Sequence, residues 1–465
     1  MSITEAQKSG FVTGIEGLNE LFKGAINQPY MIVIAGHPGS GKTTLASKIC
    51  YSNALLGYKC IYVTFYEDKE KLYRNLSKLG IHLKDIEEKG VFKYVKLPSS
   101  IDIEHAVDSI NRILIEEKPD ILVIDSISVL LDVVKDHAEK RAWLLNYFYA
   151  LPNSLNGLLI CIVELPFGEE KINMGSIEFT ADAIIILKQR VEDGFLTRYM
   201  EIRKARGFPI YLAEIPFFIM ENTGIDVFIP PVLSEISPQK EEILPACSVM
   251  RKVFGHYHRG FLINIFHPPE VIIDSTILLD ILAMAIANNL KTLIISYLLP
   301  PSAMIDIVYS ELKKAGINVE KIDRFFKEQV IVEGINPYSY NYAQLLAHEL
   351  SFIKKVKPDI IVFHGVHVLT HAPRGFYVAL YNKVNYLKSM NTVLISINAF
   401  VDEQVYRNIS SIGDVNFRIE YFVKGNEISR MIYAWRRNKG LHVLTDKEIS
   451  MCIDEFKDIL AKHLK

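Results

Sequence analysis

Residues 36–44 combine the residue types that can hold a nucleotide phosphate. Glycines let the backbone bend so that several N–H groups point at one anion. A lysine supplies a mobile charge for the β- and γ-phosphates, and a threonine supplies a hydroxyl for Mg²⁺. The segment therefore predicts a phosphate loop with a metal ligand at Thr43. Its residues are Gly36, His37, Pro38, Gly39, Ser40, Gly41, Lys42, Thr43 and Thr44.

The segments that flank this loop support the prediction. An apolar run at residues 31–35 is typical of a buried strand, and residues 42–56 are typical of a helix that ends before Gly57. A helix that begins inside the loop adds its positive end to the site. A glycine-rich turn before an ordinary helix is the alternative, and the combination of strand, loop and helix disfavours it.

Two acidic residues follow predicted strands that run parallel to the first. Asp125 comes after the apolar run 121–124, where an acid in phosphate-loop enzymes holds Mg²⁺, although it could instead cap the next helix. Glu67 follows the second strand, and a carboxylate there could orient or deprotonate an attacking water. Asp68 is the alternative for this role, and a surface acid that opens a helix is the other interpretation of Glu67.

Two cations, Lys204 and Arg206, lie at the end of a late predicted strand. They could form internal ion pairs or a solvated face. They could also reach the γ-phosphate of a neighbouring subunit and stabilise the charge of the transition state. Their spacing alone does not decide among these roles.

The composition indicates a soluble globular protein of more than one domain. The chain has 465 residues, 49% of them hydrophobic, and a net charge of −2, which disfavours a globally basic nucleic-acid binder. The five cysteines are scattered without a CxxC pair, so we expect buried free thiols in a reducing compartment. No segment has the pattern of a secretion signal or a membrane span, and we expect a cytoplasmic protein without membrane association.

Apolar strands that alternate with helical segments predict an α/β fold, in which helices flank a mostly parallel sheet. The second half of the chain weakly repeats the first, which indicates a duplication. We therefore expect domains at residues 1–231 and 247–465, joined by a charged, proline-containing linker at 232–246. The matched segments, in the same order, are 117–125 with 355–364, 76–81 with 312–317, and 203–207 with 436–440.

The second copy lacks the chemistry of the first. Where a phosphate loop should stand, residues 266–276 contain no glycine and no lysine, and Pro268 and Pro269 remove backbone donors. We expect this domain to bind no nucleotide in the usual mode. His364, His367 and His371 suggest a metal, but their spacing fits no familiar site, so polar roles at a strand end are favoured.

These features together resemble the KaiC branch of the RecA-like ATPases, closely over residues 12–230 and weakly over 247–445. The resemblance implies two tandem RecA-like domains, Mg²⁺-dependent ATP binding, and a homo-oligomeric ring, usually a hexamer, with ATP between adjacent subunits. In that family the lysine and arginine of a K-x-R-G element act across the interface, which implies this role for Lys204 and Arg206. The resemblance rests on residues 13–18, 36–44, 64–67, 124–126, 204–207, 216–217 and 224–228.

The chain departs from the family pattern at two places. The family usually has two consecutive glutamates after the second strand, with the first taken as catalytic, but here Tyr66 occupies that place and only Glu67 remains. Ser410 and Ser411 fall where the second domain of KaiC carries its phosphorylated Ser-Thr pair. Because this copy has no phosphate loop, we expect no self-phosphorylation and interpret the serines as a helix cap or turn.

Three functions remain open from the sequence. The first is an ATPase that drives a conformational or assembly switch in a homo-oligomeric ring. The second is an ATP-binding scaffold with little or no hydrolysis, whose state an unknown protein partner reads. The third, a DNA-dependent RecA paralogue, is disfavoured because residues 164–176 carry three acids and one lysine, which would repel nucleic acid.

Overall fold

The computed structural model divides the chain into two compact units, Met1–Ile229 and Pro230–Lys465. The expected linker at 232–246 lies mostly outside the residues that the structure describes, as do residues 167–176 of the acidic segment. The described residues are 10–22, 26–27, 29–99, 102–134, 137–166, 177–192, 194–207, 209–210, 213–227, 229, 242–243, 245–270, 275–371, 376–425, 427–437 and 439–463.

The first unit is built on one sheet with helices on both faces. Its strands are β1 (Tyr30–Gly36), β2 (Cys60–Thr64), β3 (Phe92–Lys96), β4 (Ile121–Asp125), β5 (Leu158–Glu164), β6 (Ala183–Glu192), β7 (Phe195–Ala205), β8 (Glu214–Met220) and β9 (Gly224–Val227). Its helices are α1 (Glu16–Leu21), α2 (Lys42–Leu55), α3 (Lys69–Ser77), α4 (Leu83–Glu88), α5 (Ile103–Glu117), α6 (Ile127–Val133), α7 (Ala138–Leu155) and α8 (Ile177–Thr180).

The strands of this sheet run in the order β3-β2-β4-β5-β1-β6-β7-β8-β9. Pairing is parallel from β3 through β6 and antiparallel beyond. Strands β1, β2 and β4 are buried along their whole length, because α2 to α4 cover one face and α5 to α7 cover the other. This order brings the carboxyl ends of β2, β4, β5 and β1 together at one edge.

Among its described residues, the second unit contains an eight-stranded α/β sheet and a separate two-stranded antiparallel sheet, which is formed by the first two strands of the unit. Its strands are β10 (Glu242–Ile243), β11 (Tyr257–His258), β12 (Leu262–His267), β13 (Thr292–Ser296), β14 (Val330–Gly334), β15 (Ile360–His364), β16 (Val393–Ala399), β17 (Val415–Lys424), β18 (Glu427–Arg436) and β19 (His442–Leu444). Its helices are α9 (Ser248–Phe254), α10 (Ser275–Ala287), α11 (Pro301–Lys314), α12 (Val319–Gln329), α13 (Tyr342–Val356), α14 (Phe376–Ser389), α15 (Glu403–Ile412) and α16 (Asp446–His463).

The strand order of the second sheet repeats that of the first. It runs β14-β13-β15-β16-β12-β17-β18-β19, so β12 occupies the central place that β1 holds in the first unit. Pairing is parallel around β12 and β13 and antiparallel from β17 onward. The prediction of two α/β units with mostly parallel sheets is confirmed. Among the described residues, no helix is long and apolar enough to cross a membrane.

The expectation of free thiols is wrong for two of the five cysteines. Cys247 and Cys452 form a disulfide in the second unit, although 205 positions separate them in the sequence. The first precedes α9 and the second lies in α16, and these two helices pack together. Cysteine spacing cannot show a pairing that only packing creates. The other three, Cys50, Cys60 and Cys161, are free and buried as expected.

Candidate nucleotide-binding site

The predicted phosphate loop connects the end of β1 to the start of α2, as the sequence indicated. Gly39 and Gly41 have φ values of 76° and 104°, in the left-handed region that favours glycine. At Gly36, a β-carbon would lie 2.5 Å from the backbone oxygen of Leu187. The loop therefore requires glycine for conformation at two positions and for space at a third.

Lys42 is anchored at the first residue of α2. Its Nζ donates a hydrogen bond to the backbone oxygen of His37 at 2.9 Å. The same atom lies 2.9 Å from Oε2 of Glu164, with side chains that are 5% and 44% exposed respectively. The ammonium group is thus held over the loop between a carbonyl and a carboxylate.

Thr43 and Asp125, the two predicted metal ligands, lie in contact. Thr43 Oγ1 donates to Asp125 Oδ2 at 2.9 Å, and the hydroxyl of Tyr62 donates to the same oxygen at 2.6 Å. Asp125 is only 8% exposed. Burial raises the pKa of this carboxyl, while the hydrogen bonds from Tyr62 and Thr43 oppose the rise. The structure does not use Asp125 as a helix cap: Ser126 precedes α6, and no side chain caps that helix.

The residues fit a magnesium–nucleotide ligand. The buried hydroxyl of Ser40, in the middle of the loop, has no hydrogen-bond partner among the described residues. Lys42 and the helix end suit phosphate oxygens, whereas Thr43 and Asp125 supply the hard oxygen donors that Mg²⁺ prefers. Bound Mg²⁺ would neutralise charge that develops on the phosphates.

Glu67 and its alternative Asp68 both follow β2 but differ in role. Asp68 accepts a hydrogen bond from the backbone N–H of Lys71 and caps α3. Glu67 is fixed through its backbone, whose oxygen accepts a hydrogen bond from the hydroxyl of Tyr94 at 2.6 Å. Tyr66, which stands in place of the family's first acid, is 66% exposed. The catalytic role of Glu67 stays a prediction, but the capping role makes Asp68 a poorer alternative.

Sequence reasoning missed Glu164 as a residue of the site. It ends β5, and its register partner in β1 is Gly36, where the phosphate loop begins. Its backbone N–H donates to Ser128 Oγ at 2.8 Å, which fixes its position. The rule that selected Asp125 and Glu67, an acid at the carboxyl end of a buried parallel strand, would also have selected Glu164.

Lys204 and Arg206 lie far from the phosphate loop of their own unit. Arg206 forms an ion pair with Asp182 at 2.9 Å, and Asp182 also accepts a hydrogen bond from the backbone N–H of Met31, near the amino end of β1. Gly36 follows Met31 by five positions along the strand, which is about 16 Å. Lys204 Nζ donates to the backbone oxygen of Phe179 at 2.9 Å. Both cations therefore bind groups of their own unit, and neither side chain reaches the phosphate loop of that unit.

The corresponding edge of the second unit carries histidines. His267 ends β12, and His364 ends β15, where its Nδ1 lies 3.0 Å from Ser296 Oγ. His367 Nδ1 accepts from the backbone N–H of Ala399 at 3.0 Å. Burial, together with the neighbouring histidines, lowers the pKa of His364 and of His367 to about 4.

The histidines do not form a metal site among the described residues, in which no group of three or more possible ligands is found. The side chain of His371 and residues 271–274 lie outside the described part of the chain. The described part of the segment that replaces the phosphate loop, residues 266–270 and 275–276, contains no glycine or lysine.

Ser410 and Ser411 lie in the last turn of α15 and do not cap its start. Their hydroxyls donate to the backbone oxygens of Arg407 and Asn408 at 3.2 and 2.8 Å. Asp402 caps the start of this helix instead. The interpretation of these serines as a helix cap or turn is therefore wrong, since both lie within the helix.

Comparison with known proteins agrees with the geometry of the first unit. Residues 11–231 match the family model described as "ATPase: KaiC". The "Circadian clock oscillator protein KaiC" of Parathermosynechococcus lividus is 28% identical over 229 residues, which is 49% of this chain and 42% of that protein. The corresponding protein of Picosynechococcus sp. is 27% identical over 209 residues, 44% of this chain and 40% of that protein.

A further relative matches both units. The "Circadian clock protein KaiC2" of Synechocystis sp. is 23% identical over 457 residues, which is 92% of this chain and 78% of that protein. The matches to the first two relatives span less than half of their length. With its phosphate loop at residues 36–44, the first unit belongs to the KaiC family of ATPases, a nucleotide-binding family, and the chain as a whole is similar to a KaiC2 protein.

Proposed function

We propose that the protein binds Mg-ATP at residues 36–44 and hydrolyses it in a homo-oligomeric ring, where the nucleotide drives a conformational or assembly switch. The observation that carries the proposal is the contact between Thr43 and Asp125 beside the anchored Lys42. This arrangement supplies oxygen donors for Mg²⁺ and a cation for the phosphates at one place.

Each side chain has one role in this proposal. Lys42 and the loop N–H groups bind the phosphates, and Thr43 and Asp125 hold Mg²⁺. Glu67 orients the attacking water, since it is the acid that remains after β2. Measured phosphate release should therefore fall to background in Lys42→Ala, and should fall at least about tenfold in Glu67→Gln. Release by the wild type that does not exceed release by Lys42→Ala would exclude the enzymatic function.

A ring would give Lys204 and Arg206 a second role, beyond the contacts that they make within their own unit. Both lie near the amino end of β1, whereas the phosphate loop follows its carboxyl end. The side chain of Arg206 is 60% exposed. We propose that they act on the γ-phosphate of a neighbouring subunit in a six-membered ring of the KaiC type. The names of the relatives refer to the circadian clock, and we extend to this chain only the nucleotide-driven cycle.

Mixing two inactive variants tests this proposal. Subunits with Lys42→Ala cannot bind phosphate but keep their cations, and subunits with Arg206→Ala bind phosphate but lack one cation. If Arg206 acts across the interface, the mixture recovers part of the phosphate release that each variant lacks. Arg203→Ala is a matched control, because Arg203 lies in β7, three residues before Arg206, and pairs with Glu201. Light scattering with and without Mg-ATP measures the assembly itself.

One observation favours a second function, the ATP-binding scaffold with little hydrolysis. Tyr66 stands exposed where the family has an acid, and a phenol cannot serve as a base near neutral pH. In that case the wild type would bind Mg-ATP and change its assembly, and phosphate release would match that of Lys42→Ala. The two functions are thus separated by the same assay.

A further inference from the structure

The carboxylate of Glu164 contacts Lys42, the residue that would bind the nucleotide phosphates in the proposed function. Its Oε2 lies 2.9 Å from Lys42 Nζ, and the lysine side chain is buried while the glutamate is about half exposed. The backbone of Glu164 is held by two links: the pairing of β5 with β1 at Gly36, and the hydrogen bond to Ser128. The fold therefore places this carboxylate beside the loop.

A phosphate that binds Lys42 must share the ammonium group with this carboxylate. The two groups carry the same sign of charge and seek the same partner, so the carboxylate offsets part of the attraction. The burial of Lys42 limits screening by water, which strengthens the effect. Lys42 would keep its position without Glu164, because His37 also accepts a hydrogen bond from Nζ.

We propose that Glu164 is an internal competitor for Lys42 that sets the affinity of the site for nucleotide phosphates. This inference rests on the proposed function, since it takes nucleotide as the ligand of the loop. The role is distinct from hydrolysis, because it acts on binding before any bond is broken. Neutralising the carboxylate should then tighten binding, whereas removing a group with only a structural role should weaken binding or leave it unchanged.

The test measures the Kd of ADP and of ATP for the full-length protein and three variants. Glu164→Gln keeps the shape of the side chain and removes its charge, and we expect the Kd of both nucleotides to fall about fivefold. Glu164→Asp keeps the charge and should stay near the wild type. Glu70→Gln is the matched control, because Glu70 is an exposed acid in the first turn of α3 and has no contact with Lys42.

Equal or weaker binding by Glu164→Gln, with an unchanged melting temperature, would overturn the inference. An equal gain in Glu70→Gln would also overturn it, since that result would indicate a general effect of net charge. Failure of the proposed function gives a different result: Lys42→Ala would then bind nucleotide as well as the wild type does. If Glu164→Gln has a lowered melting temperature, its Kd alone does not test the inference. Glu164→Asp then decides, because its Kd must stay near that of the wild type for the inference to stand.

Discussion

Asp125 is held from two sides at the bottom of the phosphate site. Thr43, a metal ligand in the proposed function, donates to Oδ2, and so does Tyr62, which is fully buried in β2. Tyr62 is not a metal ligand in the proposed function. Its hydroxyl instead orients the carboxylate of Asp125 through the hydrogen bond to Oδ2. Groups that orient metal ligands in this way commonly change metal affinity when they are lost.

We predict that Tyr62→Phe weakens Mg²⁺ binding about tenfold without changing the affinity for nucleotide in the absence of the metal. A titration of Mg²⁺ into the complex with ADP measures this separation. Tyr58→Phe is a suitable control, since it removes a hydroxyl that bonds to the backbone of Gly10 in the same unit. An unchanged Mg²⁺ dependence in Tyr62→Phe would show that Thr43 alone orients Asp125.

The buried histidines of the second unit predict a dependence of stability on pH. Their folded pKa of about 4 lies below the ordinary value of 6.5, because burial disfavours the charged ring. The unfolded chain therefore takes up protons first as the pH falls. Stability is complete above pH 6.5 and is lost progressively towards pH 4, by about 3 kcal/mol for His364.

Denaturant unfolding of the second unit between pH 7 and pH 4.5 measures this loss. His364→Gln removes one titrating group and can still hydrogen bond to Ser296, so its free energy of unfolding should depend less on pH. If the free energy of unfolding depends on pH equally in the variant and the wild type, His364 does not contribute to that dependence.

At the scale of elements, the phosphate loop depends on how tightly β1 is packed beside β6. Gly36 ends β1 and pairs with Leu187 of β6, whose oxygen would meet an added β-carbon. Gly39 lies in the free part of the loop, where nothing lies within 4 Å of the same position. Two glycines of one motif are thus required for different reasons.

We predict that Gly36→Ala lowers the melting temperature of the first unit and abolishes nucleotide binding, because the clash is with backbone that the sheet holds in place. Gly39→Ala meets no atom and should cost only the backbone strain of a positive φ, about 1–2 kcal/mol. Thermal unfolding of the two variants gives the comparison. Equal losses would contradict a steric requirement for glycine at position 36.

At the scale of the whole molecule, the chain contains one phosphate loop among its described residues and two sheets with the same strand order. The second unit keeps the arrangement of the first, with β12 in the place of β1, but presents His267 and His364 at the edge where the first unit has Gly36 and Asp125. The two units thus share an arrangement of strands but differ in the residues at this edge.

The disulfide between Cys247 and Cys452 predicts that the second unit is stabilised by oxidation. It closes a loop of 205 residues, so reduction should lower the free energy of unfolding of that unit by about 2–5 kcal/mol. Unfolding with and without dithiothreitol measures the loss. Cys452→Ser is the control, since the reductant should then have no effect. An unchanged wild type under reduction would show that the bond contributes nothing.

The phosphate loop, the strand-end acids and the α/β fold could be predicted because each depends on residues close together in the sequence. Gly36 to Thr44 form one turn between neighbouring elements, and the burial of β4 shows as a continuous apolar run before Asp125. Features that depend on neighbouring residues can therefore be recognised from a short segment of the sequence.

Contacts across the sheet depended on the tertiary structure. The order β5-β1-β6 decides that Glu164 meets Lys42 and that Lys204 and Arg206 lie at the far end of β1, and helix packing decides that Cys247 meets Cys452. The hydroxyl of Tyr62 reaches Asp125 only because β2 lies beside β4. Such partners come from distant parts of the chain, so the sequence of either one carries no sign of the other.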